Sequence, residues 1–133
     1  MDNTTYTQLD ISTFKKILNL VDNGDNLTTK GVVIKFGADW CGPCRNIAPY
    51  CHTEFKSLKN VIYFDINIEN EENMELYMAY KQKKMVTSIP TIFGYIENQD
   101  RDKNHWWSPD ISVNSSRQHD IENFISKIKN LTK

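Results

Sequence analysis

Two cysteines separated by two residues stand where an apolar, extended run gives way to a helix-like one: Trp40-Cys41-Gly42-Pro43-Cys44. Before them lies Gly31-Val32-Val33-Ile34-Lys35-Phe36, rich in β-branched residues, and after them Arg45-Asn46-Ile47-Ala48-Pro49-Tyr50. That order calls for a strand-turn-helix unit. Residues three apart in a first helical turn share a face, with Cβ atoms about 5–6 Å apart. A small rotation then brings the two sulfurs to disulfide geometry. Cys41 falls where orphan backbone N–H groups and the positive end of the helix dipole favour a thiolate. Pro43 fits the first turn, where a missing N–H costs little. A reversible dithiol/disulfide pair suits this arrangement best. Ordinary thiols are the plain alternative. A zinc site from Cys41, Cys44, Cys51 and His52 would be a poor cage, because Cys51 lies two turns down the same helix and tetrahedral sites gather separated ligand pairs. No metal is therefore expected.

The chain has 133 residues, enough for one domain with a self-sufficient core, so residues 1–133 are expected to form a single domain. A net charge of −1 points to neither nucleic acid nor membrane as partner. Met1-Asp2-Asn3-Thr4-Thr5 has no basic region followed by an apolar one, so no signal peptide is expected. Three cysteines, two of them in one motif, do not make a secreted disulfide framework, and a cytoplasmic location is expected.

Along the chain, Ser12 is the expected cap of a first helix with Phe14, Ile17, Leu18 and Val21 on one face, ended by Asn23-Gly24. Asp25 to Lys30 reads as a polar loop. Gly31 to Gly37 and Val61 to Ile66 read as buried strands. The motif helix should run from about Cys41 to Leu58, bent at Pro49. Glu71 to Lys84 carries acids first and lysines last, as a helix dipole prefers. Thr91 to Ile96 is a strand, His105-Trp106-Trp107 the expected edge strand, and Ser108 to Asn114 irregular. Ser115 or Ser116 should cap a last helix burying Ile121, Phe124, Ile125 and Ile128. Strands alternating with helices predict an α/β fold with a central mixed sheet sandwiched by helices.

These residues resemble the thioredoxin family, whose redox signature is Trp-Cys-Gly-Pro-Cys. Ser88-Ile89-Pro90-Thr91 is similar to that family's cis-proline segment, which faces the dithiol. The resemblance is close from about Val32 to Ile96, looser before it, and fails from Asn98 to Ser116, where the chain is longer. It implies a thioredoxin fold, a catalytic Cys41 and a resolving Cys44, with Gly42 and Pro43 as the spacer of reducing members. It implies that Trp40 shields the dithiol. It also implies a cis Pro90, with the backbone at Ile89 pairing with substrate like an added strand.

Lys35 departs from the pattern. The family usually has a buried aspartate there, six residues before the first cysteine, paired with a lysine on the neighbouring strand. The alignment puts Asp65 at the lysine's place, so a swapped pair, Lys35 with Asp65, is expected. The other reading is that Lys35 snorkels to solvent. Cys51 is expected to be a buried structural thiol, with a regulatory or dimer-forming role as the alternative, and His119 to be exposed. One of Trp106 and Trp107 should face inward, leaving Trp107 as a candidate substrate-binding residue. The substrate groove's far loop is expected near Ser108-Pro109-Asp110-Ile111.

The resemblance thus implies a monomeric thiol-disulfide oxidoreductase, a protein-disulfide reductase acting on disulfide-bearing proteins in redox homeostasis. No glycine-rich dinucleotide fingerprint is present, so no bound cofactor is expected. Electrons for this transport would come from a separate thioredoxin reductase or a small thiol. The rival is a binding or assembly subunit in which the fold clamps a partner and redox cycling is incidental.

Overall fold

In a computed structural model, residues 5–24 and 28–133 are described. The expectations for Met1 to Thr4, and for Asp25, Asn26 and Leu27 of the polar loop, lie outside these residues.

Among the described residues the apolar runs become a five-stranded sheet. In chain order the elements are β1 (Thr5–Tyr6), α1 (Ile11–Asp22), β2 (Gly31–Gly37), α2 (Gly42–Lys56), β3 (Val61–Asn67), α3 (Met74–Gln82), β4 (Thr91–Ile96), β5 (Ile111–Val113) and α4 (Gln118–Leu131). The sheet order is β1-β3-β2-β4-β5. β1, β3 and β2 run parallel, and β4 and β5 antiparallel to their neighbours. β2 is central and every residue in it is buried. A strand covered on both faces needs apolar side chains on both, hence a run that is apolar but for Lys35.

Alternation along the strands splits the core in two. Val32, Ile34 and Phe36 pack with Phe14, Leu18 and Val21 of α1 and with Leu76 and Tyr80 of α3. Val33 faces the other way, onto Ile47, Cys51 and Phe55 of α2 and Ile121, Phe124, Ile125 and Ile128 of α4. α2 carries Pro49 in its interior and continues through it to Lys56.

Several boundaries differ from expectation. The cap of α1 is Asp10, whose Oδ1 accepts from the Thr13 N–H at 2.7 Å, and not Ser12. β1 is a two-residue strand that the sequence did not announce. The chain after it is pinned by buried Asn73, which accepts from the Leu9 N–H at 2.9 Å and donates to the Thr7 carbonyl at 3.0 Å. The Glu71 helix begins as a 3-10 turn, Glu71–Asn73. At α4 no side chain bonds at the cap residue itself, Arg117, but Ser115 Oγ accepts from the Arg117 N–H at 3.0 Å.

The largest correction concerns the segment before β5. His105-Trp106-Trp107 is not the edge strand. Lys103–His105 form a 3-10 turn, started by Asp102, whose side chain accepts from the Asn104 N–H at 2.9 Å. The turn folds both tryptophans back onto the α1/α3 core. Trp106 meets the rings of Phe14 and Tyr80 edge-on. Strand alternation therefore does not apply, and neither ring is left for a partner by it. The true edge strand is Ile111–Val113, inside the stretch that looked irregular. Its Ile111 lies against Gly94, where an added Cβ would come within 2.7 Å of Ile111 Cγ1, so β4 needs glycine at that point.

Candidate active site

β2 ends at Gly37, and after three intervening residues Cys41 opens α2 as its N-cap. The turn between is closed by the Cys41 N–H on the Ala38 carbonyl at 3.2 Å and by Arg45, whose guanidinium donates to the Asp39 carbonyl at 2.7 Å. Cys41 and Cys44 are joined in a disulfide, with Cα atoms 5.2 Å apart. Cys41 Sγ accepts from the Cys44 N–H at 3.2 Å. A sulfur in that position uses one of the helix's orphan donors, and a negative charge on it would be stabilised there. Gly42 and Pro43 form the first turn.

The Ile89–Pro90 peptide is cis and lies opposite the disulfide. The Ile89 carbonyl oxygen is 3.9 Å from Cys41 Sγ. Ala38, Cys41 and Cys44 cluster with Ile68 and Ile89, an apolar collar around the sulfurs. Both cysteines are buried, whereas Trp40 beside them is 62% exposed. Trp40 thus flanks the disulfide with most of its surface in solvent.

Beneath the disulfide, Lys35 and Asp65 are direct register partners on β2 and β3. Their charged ends meet at 3.3 Å, with the lysine side chain 4% exposed and the carboxylate 40%. Lys35 does not snorkel; it shares the α2/α4 side of the sheet with Val33. A Cβ placed on Gly37 would lie 3.4 Å from Cys44 Sγ and 3.6 Å from Lys35 Nζ. The ammonium and the sulfur are therefore closer than a Debye length, about 8 Å in physiological salt. An open cleft of about 350 Å³ is lined by Lys35, Gly37, Cys44 and Asp65 and leads from them to solvent.

Cys51, two turns along α2, is fully buried and free. Burial pushes its thiol up to about 11; nearby Lys35 acts downward and Asp65 upward. His52 and His119 are exposed. Among the described residues no group of three or more histidine, cysteine or acidic side chains is placed to hold a metal ion.

Trp107, the candidate substrate-binding residue, packs as a partly buried ring against the α1/α3 core. Its carbonyl accepts from the Tyr95 hydroxyl at 2.7 Å. The Trp107 ring is met by His105, and Lys83 Nζ lies 5.1 Å from its centre. The cause is the 3-10 turn, which draws the aromatics onto the core. The loop beside the cis-proline is not Ser108 to Ile111, whose Asp110 bonds the Ile96 N–H at the other end of β4. It is the segment after β5, where Asn114 donates to the Pro90 carbonyl at 2.9 Å. Sequence reasoning missed Asn114, whose partners lie 23 to 26 residues away.

Comparison with known proteins agrees with this geometry. The family model described as Thioredoxin matches residues 7–127. Thioredoxin from Ophiophagus hannah is 27% identical over 74 residues, 56% of this chain and 65% of that protein. Thioredoxin H-type from Ricinus communis is 34% identical over 71 residues, 46% of this chain and 60% of that protein. The chain thus matches less than two thirds of the length of these curated relatives. The crystal structure of oxidised thioredoxin O1 from Arabidopsis thaliana superposes with a TM-score of 0.67 at 20% identity, covering 98% of this chain and 100% of that one.

Proposed function

Because the chain belongs to the thioredoxin family, we propose that it is a thiol-disulfide oxidoreductase that reduces protein disulfides through Cys41 and Cys44. One observation carries the reading. Cys41 caps α2, takes the Cys44 N–H at 3.2 Å, is bonded to Cys44, and faces the Ile89 carbonyl across the site.

In the reduced protein the Cys41 thiolate attacks one sulfur of a substrate disulfide. That S–S bond breaks, a Cys41–substrate disulfide forms, and one substrate thiolate leaves. Cys44 then gives up its proton and attacks Cys41 Sγ. The mixed disulfide breaks, the second substrate thiolate leaves, and the Cys41–Cys44 bond forms. Two electrons pass from the dithiol to the substrate, whose two thiolates take up two protons. A separate reductase or a small thiol must return two electrons for the next cycle.

The remaining residues support these steps. The edge of the chain at Ile89 and cis Pro90 offers backbone groups to an extended substrate segment. The Lys35 ammonium favours thiolate at Cys44. The proton of Cys44 leaves by the cleft, whose wall carries the Asp65 carboxylate. Both cysteines and the facing loop come from one chain, so a monomer suffices. A reducing compartment such as the cytoplasm suits a dithiol that must be returned to its reduced form.

Single-cysteine variants test the reading. Cys41→Ser should abolish reduction of a protein disulfide, and Cys44→Ser should attack but stall as a mixed disulfide. Equal trapping by both variants would reverse or remove the assignment. Full function of both in a partner-binding assay, with no reductase activity in the parent protein, would favour the clamp.

A further inference from the structure

Asn114 follows the short edge strand β5, and the antiparallel register that pairs Ile92 with Val113 brings it beside Thr91. Its side-chain amide is spent on the cis-proline loop. Nδ2 donates to the Thr91 hydroxyl at 2.8 Å, the Pro90 carbonyl at 2.9 Å and the Ser88 carbonyl at 3.2 Å. An amide nitrogen has two hydrogens, so one of them is shared between acceptors. Oδ1 accepts from the Ser88 hydroxyl at 3.0 Å. The Thr91 hydroxyl, itself an acceptor from Asn114, donates on to the Ser88 carbonyl at 2.6 Å.

This network has a directional consequence. The carbonyls on either side of Ile89, those of Ser88 and Pro90, are both turned toward Asn114. The Ile89 carbonyl is turned the opposite way, toward Cys41 Sγ. A peptide segment that pairs with the loop reads the Ile89 edge, and that edge is aimed by the bonds on its two flanks. Asn114 is exposed as a residue, so packing does not account for its position. Its hydrogen bonds do.

We propose that Asn114 is a positioning residue that sets the substrate-reading edge at Ile89 for extended protein substrates. The inference rests on the reductase reading above. It makes a distinction that reading does not: loop geometry matters to a substrate with a backbone to pair and not to a small disulfide.

The experiment compares the parent protein, Asn114→Ala and Asn114→Asp on insulin and on a small aromatic disulfide, with the reduction potential measured for each. The aspartate keeps the shape and loses both donors. Both variants should raise KM for insulin by about tenfold, the loss of one good interaction. Their rates on the small disulfide should stay within about twofold and their potentials unchanged, since the thiols are untouched. An unchanged KM for insulin in a folded variant would overturn the proposal. So would full rescue by aspartate, which would leave shape as the only role, or equal losses on both substrates. If Asn114→Ala does not fold, Ser88→Ala removes the Oδ1 bond alone and should raise KM for insulin by about twofold to threefold; no change would overturn the proposal equally. Failure of the parent protein to reduce either substrate would instead refute the reductase reading.

Discussion

Lys35 and Asp65 face each other across adjacent parallel strands, and the buried ammonium and the half-open carboxylate meet at 3.3 Å. A lysine buried alone on the α2/α4 side of the sheet would lose its charge or destabilise the fold. Asp65 keeps one side in water, so the pair retains part of its hydration. That eases the desolvation that makes fully buried pairs weak. The positive member sits on the strand leading into the dithiol, within reach of Cys44 Sγ.

From this arrangement Lys35→Met should make the dithiol more reducing. The ammonium favours thiolate, and what stabilises the thiolate stabilises the reduced form relative to the disulfide. Its removal should lower the potential by on the order of 30 mV, equivalent to about 1.4 kcal/mol. It should also raise the pKa of the attacking thiol. Equilibration against glutathione and a pH titration of Cys41 alkylation measure the two effects. An unchanged potential together with an unchanged thiol titration would leave Lys35 outside the redox chemistry.

Cys51 should remain a thiol through the redox cycle and resist alkylation until the protein unfolds. Burial raises its pKa from the ordinary thiol value of about 9 to about 11. The sign of the pH effect follows. Between those values the unfolded chain loses this proton and the folded one keeps it. The contribution is present in full below about 9 and fades as pH rises through about 11. Its size is roughly 2–3 kcal/mol. Denaturant titrations at the two ends of that range, on the parent and on Cys51→Ala, isolate it. The parent should lose more stability than the variant on going alkaline. Equal losses would refute the assignment, as would rapid alkylation of Cys51 in native protein.

The parts of this fold that were legible in the sequence are those whose signal is local or doubly buried. β2 and β4 run over the residues expected because largely apolar, β-branched and aromatic runs of this length have few other uses. The dithiol was readable because its two sulfurs are three residues apart, and the four buried residues of α4 because their spacing is helical. β1 has two residues, too few to carry a period, and is held by pairing and by Asn73 from far along the chain. The aromatics at 105–107 imitate a strand in composition, but Asp102 starts a tight turn there. Ile111–Val113 is too short to stand out beside them. Asn114 had no local signal at all, since its meaning lies in carbonyls on a loop more than twenty residues earlier. Lys35 with Asp65 was legible only because the resemblance supplied a register.

The extra segment after β4 was expected to shape the substrate groove, and its anchoring points elsewhere. Arg101, with a side chain 7% exposed, donates from Nε to Asp22 at the end of α1 at 2.8 Å. Its NH2 group donates to Asp110 at 2.8 Å and to the Ile96 carbonyl at 2.7 Å. Asp22 also accepts from the Asn98 N–H at 3.1 Å. One guanidinium thus ties both ends of the segment to α1, at the end of β4 remote from Pro90. Burial raises the pKa of Asp22, and the hydrogen bond from Arg101 opposes it. Arg101→Met should strand the Asp22 carboxylate, with a cost of about 3–5 kcal/mol. Adding Asp22→Asn should recover part of that loss. The sign with pH also follows. In the single variant, Asp22 without its cation should hold its proton more tightly when folded. Lowering the pH toward the acid range should therefore narrow the gap to the parent. The dithiol potential and the rates on small and protein disulfides should be unchanged, because none of these contacts reaches the cis-proline loop. Denaturant midpoints across pH and paired activity assays check both halves. Lost activity on protein disulfides in a folded Arg101→Met variant would return the segment to the substrate groove.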